Sequence, residues 1–201
     1  MPGQSDTELK LLEATLELIS EKGYLGATTR EIAHRAGVSE LTLFRKFGKK
    51  EKLFEEVLKT QTFLPLLRET VVEVEDLEPA TALETIGVRY LQTLKERKMF
   101  IKIILSEFNT YPEKVRNVHM QFVREMEGTL QGYLEKLQNS GKIREVSLET
   151  AARTFLRMLF SFFILEEIIR NQSISDKTLK RTVSEIVDIF MYGTVSFPDT
   201  G

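Results

Sequence analysis

The side chains able to do chemistry are few in kind, and their distribution favours binding over bond-making. Across 201 residues there is no cysteine, and His34 and His119 are the two histidines. Disulfides, thiolate metal sites and cysteine nucleophiles are therefore ruled out, and no His/carboxylate cluster has metal-ligand spacing. Neither a nucleophile elbow nor a glycine-rich phosphate loop occurs, so no catalytic residue, metal site or cofactor is expected. What is concentrated is positive charge. Arg30, Arg35, Arg45, Lys46, Lys49, Lys50 and Lys52 stand against Glu31, Glu40 and Glu51, a local surplus of four in a chain of net charge -2. Interleaved with Thr28, Thr29, Ser39 and Thr42, these cations have the chemistry that phosphate oxygens and base edges call for. A solvated charged face has the same composition, so the elements that carry the residues must decide.

Those elements read as helices. Apolar residues recur at three- and four-residue steps and strict alternation is not evident, which predicts an all-α chain of about nine helices. Ser5 and Glu8 form a capping box for a helix over about 6–22, with Leu9, Leu12, Leu16 and Ile19 as its apolar stripe and Gly23 as its stop. Thr28 and Glu31 repeat the box, and Ile32, Ala33 and Ala36 give a short second helix a small apolar face. Gly37 supplies a left-handed turn, Ser39 caps a third helix, and Val38 is placed to staple onto Leu43. Leu43 and Phe47 face inward four residues apart, which leaves Glu40, Leu41, Thr42, Arg45 and Lys46 on the other sides. Two short helices crossing closely at Ala33 and Ala36 make a helix-turn-helix. Residues 49–74 read as a long fourth helix kinked at Pro65, a hinge or a static bend. Further helices are expected at about 80–95, 98–108, 112–139, 148–170 and 176–194. The organisation predicted is a DNA-binding domain over 1–50 and a larger helical domain over 51–201.

Residues 23–54, GYLGATTREIAHRAGVSELTLFRKFGKKEKLF, closely resemble the amino-terminal domain of the TetR family of repressors. Gly-aromatic, Thr-Thr, Ile-Ala, Ala-Gly-Val-Ser, Leu-Phe, Phe and Lys-Glu-x-Leu fall in the family's order and spacing; beyond about residue 55 the agreement is in length and helical character. The resemblance implies that Thr28 and Thr29 approach a phosphate, Thr28 serving equally as a helix cap, where free amides favour an anion. It places Arg30 at a position that in some members reaches a base edge, the alternative being a plain surface arginine. Ser39, Glu40, Leu41 and Thr42 open the recognition helix. A carboxylate is unwelcome beside phosphates, so Glu40 accepts from a cytosine amino group or points away. Leu41 stands where a small residue or proline is common, and either touches a thymine methyl or is a stray surface leucine. Phe44 replaces a phosphate-binding tyrosine, leaving packing alone. Arg45, and Lys46 in place of a usual histidine, suit phosphate, and Lys50 matches the family lysine that clamps the DNA backbone.

The same resemblance implies a ligand-responsive regulator that binds a palindromic double-stranded operator as a homodimer and takes a small, apolar effector. Ligand-independent regulation, activation and a helical enzyme are the alternatives, the last opposed by the inventory above. Pocket candidates are Tyr90, Phe100, Phe108, Tyr111, His119, Phe122 and Met126, each of which could equally be core. Residues 154–170 are apolar on nearly every side, so Phe155, Leu159, Phe162 and Phe163 are expected at a dimer interface with Leu179, Val183, Ile186 and Phe190, or else in a central core. The polar amino terminus shows no secretory signal, and the longest apolar run, Met158 to Leu165, is far below the ~20 residues of a membrane span. A chain without membrane contact, in a cytoplasm, is expected.

Overall fold

A computed structural model describes residues 5–194; residues 1–4, which open the stretch read for a leader, lie outside it. Among the described residues every regular element is helical: α1 Asp6–Gly26, α2 Thr29–Arg35, α3 Glu40–Phe47, α4 Lys50–Gln61, α5 Leu64–Glu73, α6 Pro79–Glu96, α7 Lys98–Glu107, α8 Glu113–Asn139, α9 Leu148–Phe163 and α10 Asp176–Thr194. The all-α architecture with an amino-terminal helix-turn-helix is as the sequence predicts. The additional helix arises where one kinked helix was expected. Thr62 is fully extended (φ -85°, ψ 157°), so the chain breaks three residues ahead of Pro65, which falls in the first turn of α5. Proline loses nothing there, because its missing N–H would have no helical partner.

The helices fall into two compact units, one reaching Thr62 and including Met99–Phe122, the other Phe63–Lys98 with the chain from Val123 onward. This grouping differs from a boundary after residue 50. Leu53, Phe54, Val57 and Leu58 of α4 are buried in the head's core with Leu11, Leu18, Ile19, Ile32 and Leu43. Phe100 and Ile104 of α7, Tyr111, and Val115 of α8 complete that cluster. Three short helices cannot enclose a core alone, and α4, α7 and the start of α8 supply the missing apolar surface.

The face α1 buries is also set one step differently from the expected stripe. Leu11, Leu12, Thr15, Leu18 and Ile19 are buried, Leu16 is half-buried, and Leu9 is exposed. A buried threonine is tolerated because its Oγ1 donates to the Leu11 carbonyl at 2.6 Å.

In the second unit α6 packs on α9 and α10. Gly87 permits the approach: a Cβ there would lie 2.8 Å from Val183 Cγ1 and within 4 Å of Leu159 and Phe155. Beyond Phe163, α9 continues as a π-helical turn, Ile164–Ile169, instead of running regularly to residue 170. Its buried Glu167 pairs with Lys98 at 2.8 Å and accepts from the Ile174 N–H at 2.7 Å, fastening the connection to α10. No described helix is long and apolar enough to cross a membrane.

Candidate nucleic-acid interface

The helix-turn-helix is built from three side-chain caps and one glycine. Ser5 caps α1 and Thr28 caps α2, each with its reciprocal glutamate, and Ser39 caps α3 by accepting from the Thr42 N–H at 3.1 Å. Gly37 takes φ 69° in the turn between α2 and α3. Each cap stabilises its helix by roughly 1 kcal/mol, which matters for helices of seven and eight residues that are too short to persist alone. Val38 and Phe47 pack against the head's core and Leu43 is wholly buried, so the opposite side of α3 faces water.

Not every cation in this window is free. Arg35 forks onto Glu21 at 2.6 and 2.9 Å, and Lys22 pairs with Glu31 at 2.6 Å. Lys46 donates to Ser5 Oγ at 2.9 Å and to Glu8 at 3.2 Å, tying the recognition helix to the start of α1. Lys50 is half-buried, donating to the Tyr24 carbonyl and lying 4.3 Å from the centre of the Tyr24 ring. Burial lowers its pKa. Lys50 therefore holds the head together through its ammonium, while the first turn of α4 carries no side-chain cap and keeps its amides open to an anion. Arg30, Arg45 and Lys49 are exposed and carry no ion pair among the described residues.

The polar residues are similarly divided. Thr29 Oγ1 donates to Glu40 at 2.6 Å, so the carboxylate is drawn back against α2. Ser39 and Thr42 share a hydroxyl contact of 2.9 Å, and the Thr28 hydroxyl donates to Glu31 at 2.9 Å. Leu41 and Phe44 stand out from α3 with 77% and 43% of their surface exposed. Along one edge of the head, Leu18, Lys22, Arg30, Glu31, His34 and Arg35 line an open hollow of about 650 Å³.

The glycine-aromatic pair organises this surface together with one residue that sequence patterns did not single out. The helical run of α1 is interrupted at Gly23 (φ 74°, ψ 172°), and Glu107, at the end of α7, accepts from the Tyr24 N–H at 2.7 Å. A Cβ on Gly23 would lie 1.8 Å from Glu107 Oε1. Tyr24 is thus gripped at both ends of its backbone, N–H by Glu107 and C=O by Lys50. Its ring packs on Phe54 at 5.0 Å and edge-on to Tyr111 at 5.3 Å. The glycine-aromatic pair was visible in the motif; Glu107, 83 positions away, has no local signature.

The pocket candidates do not form one group. Phe100 and Tyr111 are buried in the head's core, with Phe108 and Phe122 against it and His119 edge-on to Phe108 at 5.6 Å. Tyr90, buried and stacked on Phe63 at 5.0 Å, and half-buried Met126 belong to the second unit. Of the residues expected at a dimer interface, Phe155, Leu159, Phe163, Leu179, Val183 and Phe190 are buried within the single chain, Phe155 edge-on to Phe190 at 5.3 Å. Phe162 and Ile186 keep part of their surface in water.

A capped helix-turn-helix whose outer face joins unpaired cations to exposed apolar side chains is the surface of a DNA-binding regulator. The family model described as "Bacterial regulatory proteins, tetR family" matches residues 11–57, and that described as "AefR-like transcriptional repressor, C-terminal domain" matches residues 81–193. The uncharacterized HTH-type transcriptional regulator YvkB of Bacillus subtilis (strain 168) is 31% identical over 158 residues, 79% of this chain and 82% of its own. A crystallised regulator of Mesorhizobium loti MAFF303099, described as of the TetR family, superposes with a TM-score of 0.83 at 21% identity, covering 96% of this chain and 100% of its own. FadR of Bacillus subtilis, solved with stearoyl-CoA, does so with a TM-score of 0.74 at 18% identity, covering 92% and 98%. The chain belongs to the TetR family: it is a DNA-binding transcriptional regulator and not an enzyme.

Two expectations follow from the geometry. Gly23→Ala forces a side chain into a backbone conformation (φ 74°, ψ 172°) essentially confined to glycine, costing about 1–3 kcal/mol, and drives it into Glu107 as well. Thermal unfolding should show a larger loss in the native background than in Glu107→Ala, and equal losses would mean that the two residues do not meet. The second concerns acid. The Glu31 carboxyl is held down at about 2 by hydrogen bonds from Lys22, then from the Thr28 hydroxyl and amide. A carboxyl depressed on folding stabilises the folded state above its unfolded value of 4.5, and that contribution disappears as pH falls from there towards about 2. Circular-dichroism melts across this window should show a shallower acid limb for Glu31→Gln than for the native chain.

Proposed function

We propose that the protein is a ligand-responsive repressor, held as a homodimer on a palindromic operator and released by a small, largely apolar effector. The observation that carries the DNA side is the outward face of α3, where Leu41, Phe44 and Arg45 project while Glu40 is drawn back by Thr29. Arg30 at the start of α2 reaches base or backbone beside it. Thr28, Thr29, Ser39, Thr42 and the first turn of α4 at Lys50 meet the phosphates, and Lys46 joins them by exchanging its Glu8 partner. Exposed ion pairs are worth only about 0–1 kcal/mol, so a phosphate can displace such a carboxylate.

A second copy is supported by what the chain leaves uncovered on its last two helices. Leu165 and Ile169 at the end of α9, and Ile189 and Tyr192 on α10, are 42%, 69%, 68% and 77% exposed. With Phe162 and Ile186 they make an apolar face of the kind a two-fold dimer buries.

For the effector, the residues proposed are His119 with Phe108 and Phe122, all within the first unit. The buried Nδ1 of His119 has no hydrogen-bond partner among the described residues, and burial lowers the pKa of its ring, which leaves a polar atom suited to a ligand's polar group. The two phenylalanines beside His119 suit an acyl chain, and the stearoyl-CoA held by Bacillus subtilis FadR makes an acyl-CoA thioester the first effector to test.

Selection of bound fragments from random DNA followed by fluorescence anisotropy tests this reading. An enriched, roughly palindromic site should lose at least ten-fold in affinity on addition of stearoyl-CoA. Affinity unchanged by stearoyl-CoA, shorter acyl-CoAs and free fatty acids would remove the apolar effector.

A further inference from the structure

On the outer face of the recognition helix most polar side chains are already engaged within the head. Glu40 is engaged by Thr29, Thr42 by Ser39, and Lys46 by Ser5 and Glu8. Arg45 is the one charged residue of α3 with neither a side-chain hydrogen bond nor an ion pair among the described residues. Beside it stand two apolar side chains, Leu41 and Phe44, one helical turn apart and therefore neighbours on one side of α3. Neither contributes to the core: Leu41 is 77% exposed and Phe44 43%. A leucine and a phenylalanine facing water at the working end of the helix gain only when something apolar meets them.

The major groove offers one apolar group, the C5 methyl of thymine. Resting on the DNA-binding reading above, we propose that Leu41 and Phe44 read thymine methyl groups, so that neighbouring positions of each half-site are specified by methyls and not by a donor–acceptor pattern. Three features favour DNA over a protein as the occupant. The apolar pair is continuous with the helix-turn-helix surface. It shares α3 with Arg45, within about one turn of both side chains, whose unpaired charge complements a phosphate rim. The acid nearest to it, Glu40, is held against α2, where it does not repel the duplex. Arg45 then sets the register on the backbone or a guanine edge, and the apolar pair adds the choice of thymine over cytosine, which lacks the methyl. It also gives choice over adenine and guanine, which present polar edges to the same side chains.

The experiment removes the methyl and nothing else. In a fragment enriched by selection, each thymine is replaced in turn by deoxyuridine, which keeps the pairing edge and O4. At one or two positions per half-site the native protein should bind about four-fold more weakly, the size expected for one buried methyl. Leu41→Ala should bind thymine and uracil equally at one of these positions, and Phe44→Ala at the other if two are found. Both side chains lie outside the core, so the variants should keep the native melting temperature. The uracil series on the native protein stands independently of them. An enriched site at which every thymine tolerates uracil overturns this inference alone, as does a uracil penalty that persists in both variants. Selection that yields no enriched site overturns sequence-specific binding itself, and this inference with it.

Discussion

Everything the head presents to a partner depends on how the chain leaves α1, and that exit is fixed by the double grip on Tyr24. Glu107 takes the N–H, Lys50 the carbonyl, and the ring is packed among Phe54 and Tyr111. Hydrogen bonds to charged groups contribute about 1.5–3 kcal/mol each, comparable with a sizeable part of a small unit's net stability. The break at Gly23 turns the chain so that Thr28 begins α2, Thr28 in turn sets where Gly37 turns, and Gly37 sets the direction of α3. An error at Tyr24 would propagate through all three helices. Because one of the gripping residues ends α7 and the other begins α4, the head cannot be treated as three helices with an appendage; α4 and α7 belong to it mechanically as well as by packing.

A second constraint is the allocation of charge. The window from Arg30 to Lys52 is cationic by sequence, yet Arg35 and Lys46 are paired with acids of α1, and Lys50 is turned inward. The surface left unpaired is therefore narrower and less polar than the window's composition. This is the physical content of the departures from usual family choices at Glu40, Leu41, Phe44 and Lys46: two are engaged with neighbouring elements, and two are apolar and unengaged.

Much of the head was legible because its determinants are local. The boxes at Ser5/Glu8 and Thr28/Glu31, the Ser39 cap and the Gly37 turn act over three residues, and all four occur where the spacing predicts. The register of α1 was harder, since a leucine-rich helix offers two overlapping stripes and the chosen one buries Thr15 at the expense of Leu9. Pro65 was correctly a disruption, but the break lies at Thr62, where an extended residue ends α4 before the proline is reached. In α9 and α10 periodicity identifies apolar faces without saying which are filled by the chain's own core. Phe155, Leu159 and Val183 are consumed by α6 through Gly87, whereas Ile169, Ile189 and Tyr192 are not. Glu107 could not be found from sequence, because its partner is distant and its neighbours carry no motif.

The central claim is that α2 and α3 bind DNA from the major-groove side, in two copies. Footprinting of a selected fragment by dimethyl sulfate, which methylates guanine N7 in the major groove and adenine N3 in the minor groove, measures this directly. The account predicts protection in two windows on one face of the duplex, centred about 34–36 Å or a multiple of that apart. Protection confined to the minor groove, or none at the enriched sequence, would contradict it.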